Sequence, residues 1–364
     1  MPDSPPRTAE RIATIAQTLE GGGVERAMLR LARGWIDAGR EVTLIAGRAT
    51  GPLAAELPDG IHIEEIGDSR YRTLYALPRF LDRLRPDLLF CPGNHYTSFA
   101  AWTRLRMGSA CPPIVAKVSN ALVRSEMRGI ERRGYPHWLR LHPRFIDRFV
   151  AMSPAMAAET AREMRVDPAR VSVIANPPAR ALAEAAPLML PAGRYLLGAG
   201  RLEPQKRWDR LIEALPRLKR DDVSLLLLGE GSLRRALEAQ VAALGLRDRV
   251  HLPGHAADPL PAIARAQAVV LTSDYEGVPG VLREALALGT PVVTTDSSVA
   301  IAELVPTPGH GSIVPPGDAE ALVAALDHWL APERQRPEPL AQTGPDSVTA
   351  YLALFDELVA QRSR

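Results

Sequence analysis

Two successive alternations of apolar strand, glycine turn and amphipathic helix predict an α/β protein built as two doubly wound, Rossmann-like domains in tandem. The first alternation begins at Arg11, and the second restarts at Tyr195. Runs such as Leu225-Leu226-Leu227-Leu228 carry no polar alternation, as expected of parallel strands covered by helices on both faces. A chain of 364 residues also exceeds one ordinary core and suits two domains.

Taken in order, Arg11–Gln17 reads as a strand and Gly21-Gly22-Gly23 as a turn. Val24–Ala38 follows as a helix, because Val24, Met28, Leu31 and Trp35 recur every three to four residues. Gly39 stops it, and Glu41–Ala46 completes a βαβ unit with parallel strands and a right-handed crossover. Leu88–Cys91, Ile114–Val118, Phe149–Met152 and Val171–Ile174 supply further strands. A linker is expected from Asn176-Pro177-Pro178 through an alanine- and proline-rich stretch to Gly193. Beyond it, strands at Tyr195–Ala199, Val223–Leu228, Val250–Leu252, Ala268–Thr272 and Pro291–Thr294 alternate with helices. Those helices fall near Trp208–Lys219, Leu233–Leu244, Pro259–Ala266 and Pro279–Leu288. After a proline-rich connection from Ala331 to Pro345, Ser347–Gln361 reads as a last helix with Val348, Tyr351, Leu352, Phe355 and Leu358 on one stripe. The expected domains are 1–177, 178–345 and a helix over 346–364 that crosses back to the N-terminal domain. Ligands in such folds sit beyond the carboxyl ends of the strands, here expected to face a central cleft.

Composition narrows the function classes. Apolar residues at 46% and charged residues at 24% exclude disorder, collagen-like repeats and a disulfide scaffold. A net charge of +2 gives no global field for nucleic acid. Two cysteines, Cys91 and Cys111, fit a reducing compartment and leave no structural zinc set. No secretory leader opens the chain, and no apolar run approaches the ~20 residues of a spanning helix, so a cytoplasmic home is expected. Only three of the 44 basic residues are lysines (Lys117, Lys206, Lys219), so arginine clusters carry less weight than usual.

The run from Ser273 to Val293 is the most informative. It leaves a buried strand, turns through Glu276-Gly277-Val278-Pro279-Gly280, enters a helix at Pro279 and leads to the next strand. Proline suits a first helical turn, where its missing N–H has no partner to lose. Open amides at that turn, with the helix dipole behind them, favour an anion. Glu276 in the turn and Glu284 in the helix, eight positions apart, can face one elongated ligand from different heights; the plain alternative is a capped helix with one solvated glutamate. Gly198-Ala-Gly200-Arg201-Leu202-Glu203-Pro204-Gln205-Lys206-Arg207 stands at the end of the first strand of the same domain. An arginine grips phosphate with two parallel N–H bonds and a lysine adds a point charge, although a solvated loop accounts equally for Arg201 and Lys206.

Together these elements resemble the retaining GT-B glycosyltransferases of family 4. The resemblance runs through Gly22-Gly23-Val24-Glu25-Arg26, Ile174-Ala175-Asn176-Pro177, Gly200-Arg201-Leu202 with Lys206, Leu228-Gly229-Glu230-Gly231, Leu252-Pro253-Gly254, and the Glu276–Glu284 pair through Val293. It implies that Arg201 and Lys206 hold the diphosphate of a nucleotide-sugar, with UDP favoured, and that Glu284 accepts hydrogen bonds from the ribose. Glu276, with the amides near Gly277, Val278 and Gly280, would face the donor sugar. Gly22 and Gly23 would admit donor phosphate and acceptor, and the loop Leu252–Gly254 would lie near the base. No Asp-x-Asp occurs, so no metal or other cofactor is expected and fixed positive potential would stabilise the departing diphosphate. Transfer would retain configuration, in a hexosyltransferase acting in cell-surface polysaccharide or glycolipid synthesis.

The chain departs from that family where many members carry a histidine after Ile114–Val118; here Ser119-Asn120 stands there. His95 in Gly93-Asn94-His95-Tyr96 is the candidate replacement, and His95 and Asn120 are assigned to the acceptor side. From Ala101 to Val150 ten basic residues face three acids, a local net charge of +7. Met127, Tyr135, Trp138, Leu139, Leu141 and Phe145 interleave them, an arrangement suited to an anionic membrane surface and a lipid-linked acceptor, or simply to a solvated arginine face. Two other readings of the fold stay open, a nucleotide-sugar 2-epimerase and a non-catalytic partner subunit. A dehydrogenase is disfavoured, because Gly21-Gly22-Gly23 lacks GxGxxG spacing.

Overall fold

The computed structural model describes residues 7–123, 127–178, 188–341 and 346–362. Most of the expected linker, the end of the proline-rich connection, and Arg124 and Glu126 lie outside these residues. The described chain forms two compact units, one of residues 7–123, 127–177 and 346–362, the other of residues 178 and 188–341.

The first unit is organised on seven strands: β1 (Arg11–Ala16), β2 (Glu41–Ala46), β3 (His62–Glu65), β4 (Leu88–Cys91), β5 (Ile114–Lys117), β6 (Arg148–Ala151) and β7 (Val171–Val173). They pair in the order β3-β2-β1-β4-β5-β6-β7, parallel throughout. The chain order reverses between β1 and β4, and that reversal opens a crevice at the carboxyl ends of the two strands. The central strands are sealed because their side chains are apolar in both directions except Lys117 at the end of β5, and every residue of β4 and β5 is buried. In contrast, β3 reads His-Ile-Glu-Glu and is largely exposed at the sheet edge, which is why hydrophobic pattern alone misses it.

The second unit holds β8 (Arg194–Ala199), β9 (Val223–Leu228), β10 (Val250–Gly254), β11 (Ala268–Leu271), β12 (Val292–Thr295) and β13 (Gly311–Val314). Their order is β10-β9-β8-β11-β12-β13, again all parallel, and here the reversal falls between β8 and β11. Two expectations need correction. The helix expected over Trp208–Lys219 is α-helical only from Trp208 to Ala214 and tightens to a 3₁₀ turn at Leu215–Arg217, because Pro216 has no N–H to continue the ladder. Leu252–Gly254, expected as a loop, is instead the end of β10, an edge strand whose register against β9 shifts between His251 and Gly254.

The helix Ser347–Arg362 packs on the first unit, against the helix Gly23–Asp37. Tyr351 and Phe355 enter its core beside Trp35 and Phe90, with centroid separations of 5.2 Å for Trp35–Phe90 and for Trp35–Phe355. Gly34 provides the room, since a Cβ there would collide with Val348. Polar bonds fix the register: Asp356 accepts from the Ala9 amide and from Arg40, both at 2.8 Å. The Tyr351 hydroxyl is buried in this interface with no hydrogen-bond partner among the described residues. Removing an orphaned buried hydroxyl relieves a desolvation cost of about 1–3 kcal/mol, offset in part by the small void left behind. Tyr351→Phe should therefore be neutral or up to ~1 kcal/mol more stable in urea unfolding. A loss greater than that would mean the hydroxyl has a partner in solution.

Candidate functional site

In the second unit, the loops that follow β8 and β11 meet at the reversal of the sheet. They are stitched together by four bonds. Thr272 Oγ1 donates to the carbonyls of Lys206 and Arg207, at 3.0 and 2.8 Å. The Asp274 amide donates to the Gln205 carbonyl at 2.9 Å, and Gln205 Nε2 returns a bond to the Tyr275 carbonyl at 2.6 Å. Trp208, buried under the loop, holds the Arg201 carbonyl through Nε1 at 3.0 Å. The glycines around this loop are steric requirements: a Cβ on Gly229 would collide with the Gly200 carbonyl.

This stitching brings Lys206 Nζ to 2.6 Å from Glu276 Oε1. Ser273 Oγ donates to the same oxygen at 2.6 Å, and the Glu276 amide is tied to the Ser297 carbonyl at 2.8 Å. Glu276 is buried and Lys206 half-buried, so this is a largely desolvated pair. Such a pair is strongly sensitive to loss of one partner, at about 3–5 kcal/mol, even when the pair itself adds little net stability. Arg201 lies on the same loop, exposed, with no ion-pair partner among the described residues. The amides of Gly277, Val278 and Gly280 make no hydrogen bond to a described residue. They precede or open the helix Gly280–Ala287, for which Pro279 is the cap in extended conformation rather than the first helical residue. Glu284 sits half-buried in the second turn of that helix. Lys206 and Glu276 thus meet where these loops join, with Arg201 on the loop after β8 and Gly277, Val278, Gly280 and Glu284 on the turn and helix that follow Glu276. Leu252, on β10, belongs to an edge strand two positions from β8.

Arg207 occupies the left-handed region at φ 50°, where a glycine would be unstrained. Its guanidinium is held above its ordinary range by a hydrogen bond to Asp209, against burial, with the charges of Asp209 and Asp274 adding. The ion pairs measure 2.9 Å to Asp209 and 3.4 Å to Asp274.

In the first unit the strand-end crevice at β1 and β4 holds a different set. Glu25, in the first turn of the helix Gly23–Asp37, accepts from the Tyr96 hydroxyl at 3.0 Å and stands 3.6 Å from His95 Nε2. The Tyr96 oxygen in turn accepts from the Gln17 amide at 3.0 Å. Burial alone would raise the Glu25 pKa, but bonds and charge from His95, its own amide and Tyr96 together lower it. The carboxylate folds back so closely over Gly22 that a Cβ there would meet Glu25 Oε2. Gly23 opens the helix. Asn120 accepts from the Ala121 amide at 2.9 Å and offers its carbonyl to Asn94 Nδ2 at 3.1 Å, so it braces the loop after β4 without bonding His95. Lys117 is buried at the end of β5, donates to Asn176 Oδ1 at 3.2 Å, and is pushed down to about 8 by burial, with the Glu25 charge opposing.

Several of these residues escape a sequence reading. Ser273, Gln205, Glu25 and Tyr96 stand inside quoted runs without a role of their own, and Thr272 just outside one; Lys117 carried one signal, its rarity as a lysine. Half of the six apolar residues expected to face a membrane are buried. Met127, Leu139 and Phe145 are buried, Trp138 stacks on Phe145 at 5.5 Å, and Leu141 is the one exposed. Arg128, Arg132, Arg133, Arg140 and Arg144 are exposed and make no ion pair with a described residue, whereas Arg104 pairs with Asp147 and Arg148 with Glu357. Among the described residues, no three histidine, cysteine or acidic side chains cluster as a metal site, and no helix is long and apolar enough to cross a membrane.

Two parallel sheets with these strand orders define the GT-B architecture. The crystal structure of Anabaena Alr3699/HepE in complex with UDP and glucose superposes with a TM-score of 0.71 over 97% of this chain and 98% of that one, at 19% identity. The model for "Glycosyl transferases group 1" matches residues 193–331, and that for "Glycosyltransferase Family 4" matches residues 21–177. The lipopolysaccharide core biosynthesis glycosyltransferase LpsD of Rhizobium meliloti is 28% identical over 97% of this chain and 96% of its own length. The N-acetylgalactosamine-N,N'-diacetylbacillosaminyl-diphospho-undecaprenol 4-alpha-N-acetylgalactosaminyltransferase of Campylobacter jejuni is 32% identical, over 39% of this chain and 39% of that protein. This chain belongs to the group 1 glycosyltransferases with a GT-B fold.

The backbone at Arg207 makes a prediction of its own. A non-glycine residue in this region costs about 1 kcal/mol, which the two ion pairs offset. Arg207→Gly should stay within ~1 kcal/mol of the parent in urea unfolding, while Arg207→Ala keeps the strain, loses the pairs and falls ~1–2 kcal/mol. Finding the alanine variant as stable as the glycine variant would remove the strain argument.

Proposed function

We propose that the chain transfers a sugar from a nucleoside diphosphate sugar to a hydroxyl of a glycan or lipid-linked acceptor in lipopolysaccharide or polysaccharide synthesis. The observation that supports this reading is the meeting of Lys206 with Glu276 at the β8/β11 reversal, with Arg201 on the same loop as Lys206 and three open amides just after Glu276. The anomeric C–O bond to phosphate breaks, a C–O bond to the acceptor forms, and the acceptor proton leaves on the departing phosphate oxygen. Transfer on the face that the phosphate vacates retains configuration. The developing charge needs stabilising without a resident metal. A unit charge pair at about 4 Å is worth on the order of 4 kcal/mol in a partly dry site before desolvation. Arg201 and the amides supply that potential directly, whereas Lys206 is shared with Glu276 and links the diphosphate to the sugar-facing carboxylate. Glu284 would receive the ribose hydroxyls. Uridine is the base we favour, since the Anabaena neighbour was crystallised with UDP and glucose.

The acceptor belongs to the first unit in this reading, with His95 and Asn120 beside Gly22 and Gly23. The five exposed arginines from Arg128 to Arg144 suit an anionic membrane surface at which a lipid-linked acceptor is presented. With Met127, Leu139 and Phe145 buried, such attachment rests on charge more than on insertion.

The experiments follow from the pair. Lys206→Ala should lower turnover about ten- to a hundredfold. It should also lower thermal stability, because it strands a buried carboxylate. The double variant Lys206→Met with Glu276→Gln should recover stability but not turnover; recovery of both would show the pair to be scaffolding. Activity should persist in excess EDTA, and its abolition would require a metal. Co-sedimentation with phosphatidylglycerol vesicles should occur at low salt and fade by about 0.5 M, as screening shortens below ~5 Å.

A further inference from the structure

We infer that Ser273 is a positioning residue: with Lys206 it clamps one oxygen of Glu276 and thereby presents the other to a hydroxyl of the donor sugar. This rests on the donor-site reading above and adds a residue and an atom to it.

The two carboxylate oxygens of Glu276 stand in different surroundings. Oε1 receives Lys206 Nζ and Ser273 Oγ, each at 2.6 Å. Oε2 has no partner among the described residues, and it is not among the buried polar atoms that lack one, so it keeps an edge open to solvent. A carboxylate has about four lone-pair sites. Two charge-assisted bonds on Oε1 leave its accepting capacity toward a ligand concentrated on Oε2. The side chain of Glu276 is only 10% exposed, so that oxygen is offered through a narrow opening.

Ser273 is well built for this task. It is fully buried at the end of β11, and its own carbonyl accepts from Thr295 Oγ1 of β12 at 2.6 Å. The Glu276 amide is tied to the Ser297 carbonyl just after β12. The serine, the carboxylate and the end of β12 therefore form one rigid corner, in which the Ser273 hydroxyl has a single acceptor. Lys206 on its flexible stem could follow a bound diphosphate by some tenths of an ångström; Ser273 cannot. When the ammonium shifts toward phosphate, the serine keeps Oε1 in place and Oε2 aimed. The ligand class is a neutral, hydroxyl-bearing group attached to a diphosphate, and the clamp distinguishes a nucleotide-sugar from the bare nucleotide.

The test measures affinity for UDP and for UDP-glucose, UDP-galactose and UDP-N-acetylglucosamine by calorimetry, in the full chain and in Ser273→Ala. The preference of the parent for its tightest UDP-sugar over UDP should fall roughly tenfold in the variant, with UDP itself within twofold. Ser273→Cys, of similar size but a weak donor, should fall between and guards against a folding defect in the alanine variant. An unchanged preference overturns the inference, as does an equal loss for UDP and UDP-sugar, which marks a merely structural serine. If the parent chain binds neither UDP nor any UDP-sugar, the donor-site reading falls first and takes this one with it.

Discussion

The meeting of Lys206 with Glu276 constrains everything around the second sheet. These residues are 70 positions apart, and each lies on a loop that leaves the sheet at its point of reversal. An ammonium and a carboxylate lose several kcal/mol each on leaving water, and their attraction returns that only with good geometry. Here the geometry is enforced from below: Thr272 holds the Lys206 and Arg207 carbonyls, Gln205 brackets Asp274 and Tyr275, and Trp208 fixes the Arg201 carbonyl. Three polar side chains thus serve to hold one ion pair in a half-dry corner. A pair of leucines would fill such a space at less cost in a domain that needed only stability. The investment makes sense where a charged ligand is to be received at that corner.

The first sheet solves a similar problem with different chemistry. Its reversal also carries a half-buried acid, Glu25, held by a neutral hydroxyl from Tyr96 and a nitrogen of His95. In the second unit the partners are the neutral hydroxyl of Ser273 and the ammonium of Lys206. Each carboxylate has one hydroxyl donor and one basic partner. The difference lies in the partner and its distance: an imidazole nitrogen at 3.6 Å in the first crevice, an ammonium at 2.6 Å in the second.

How much of this was legible follows from what each residue does. Central strands were readable because a strand covered on both faces must be apolar at consecutive positions, as in Leu225–Leu228. β3 and β13 were not, since an edge strand of four residues such as His-Ile-Glu-Glu has no such obligation. Pro216 was visible in the sequence, yet the helix was carried past it; the broken ladder shows that its missing donor outweighed the apolar periodicity. Arg201, Lys206, Glu276 and Glu284 were marked by type and spacing near strand ends. That Lys206 and Glu276 neutralise each other was not, because pairing across 70 positions depends on which strands are neighbours. That Met127, Leu139 and Phe145 among the arginines are buried was not legible for a simpler reason: periodicity reports that a helix has an apolar face, not whether that face meets core or lipid.

Arg207 shows how a local irregularity carries information about the whole site. A left-handed residue is needed between the 3₁₀ turn Pro204–Lys206 and the helix from Trp208, so that the chain can present Lys206 toward β11 and still bury Trp208. Glycine would meet that need without strain, but would leave Asp274 with Arg210 as its one remaining partner, at 2.7 Å. Asp274 lies two residues before Glu276, on the same turn. Arg210 is the shorter of the two contacts, so Arg207 adds a second cation at 3.4 Å to an acid that already has one. The strained backbone at Arg207 thus goes with a turn in which Asp274 is held by two arginines while Lys206 is left to Glu276.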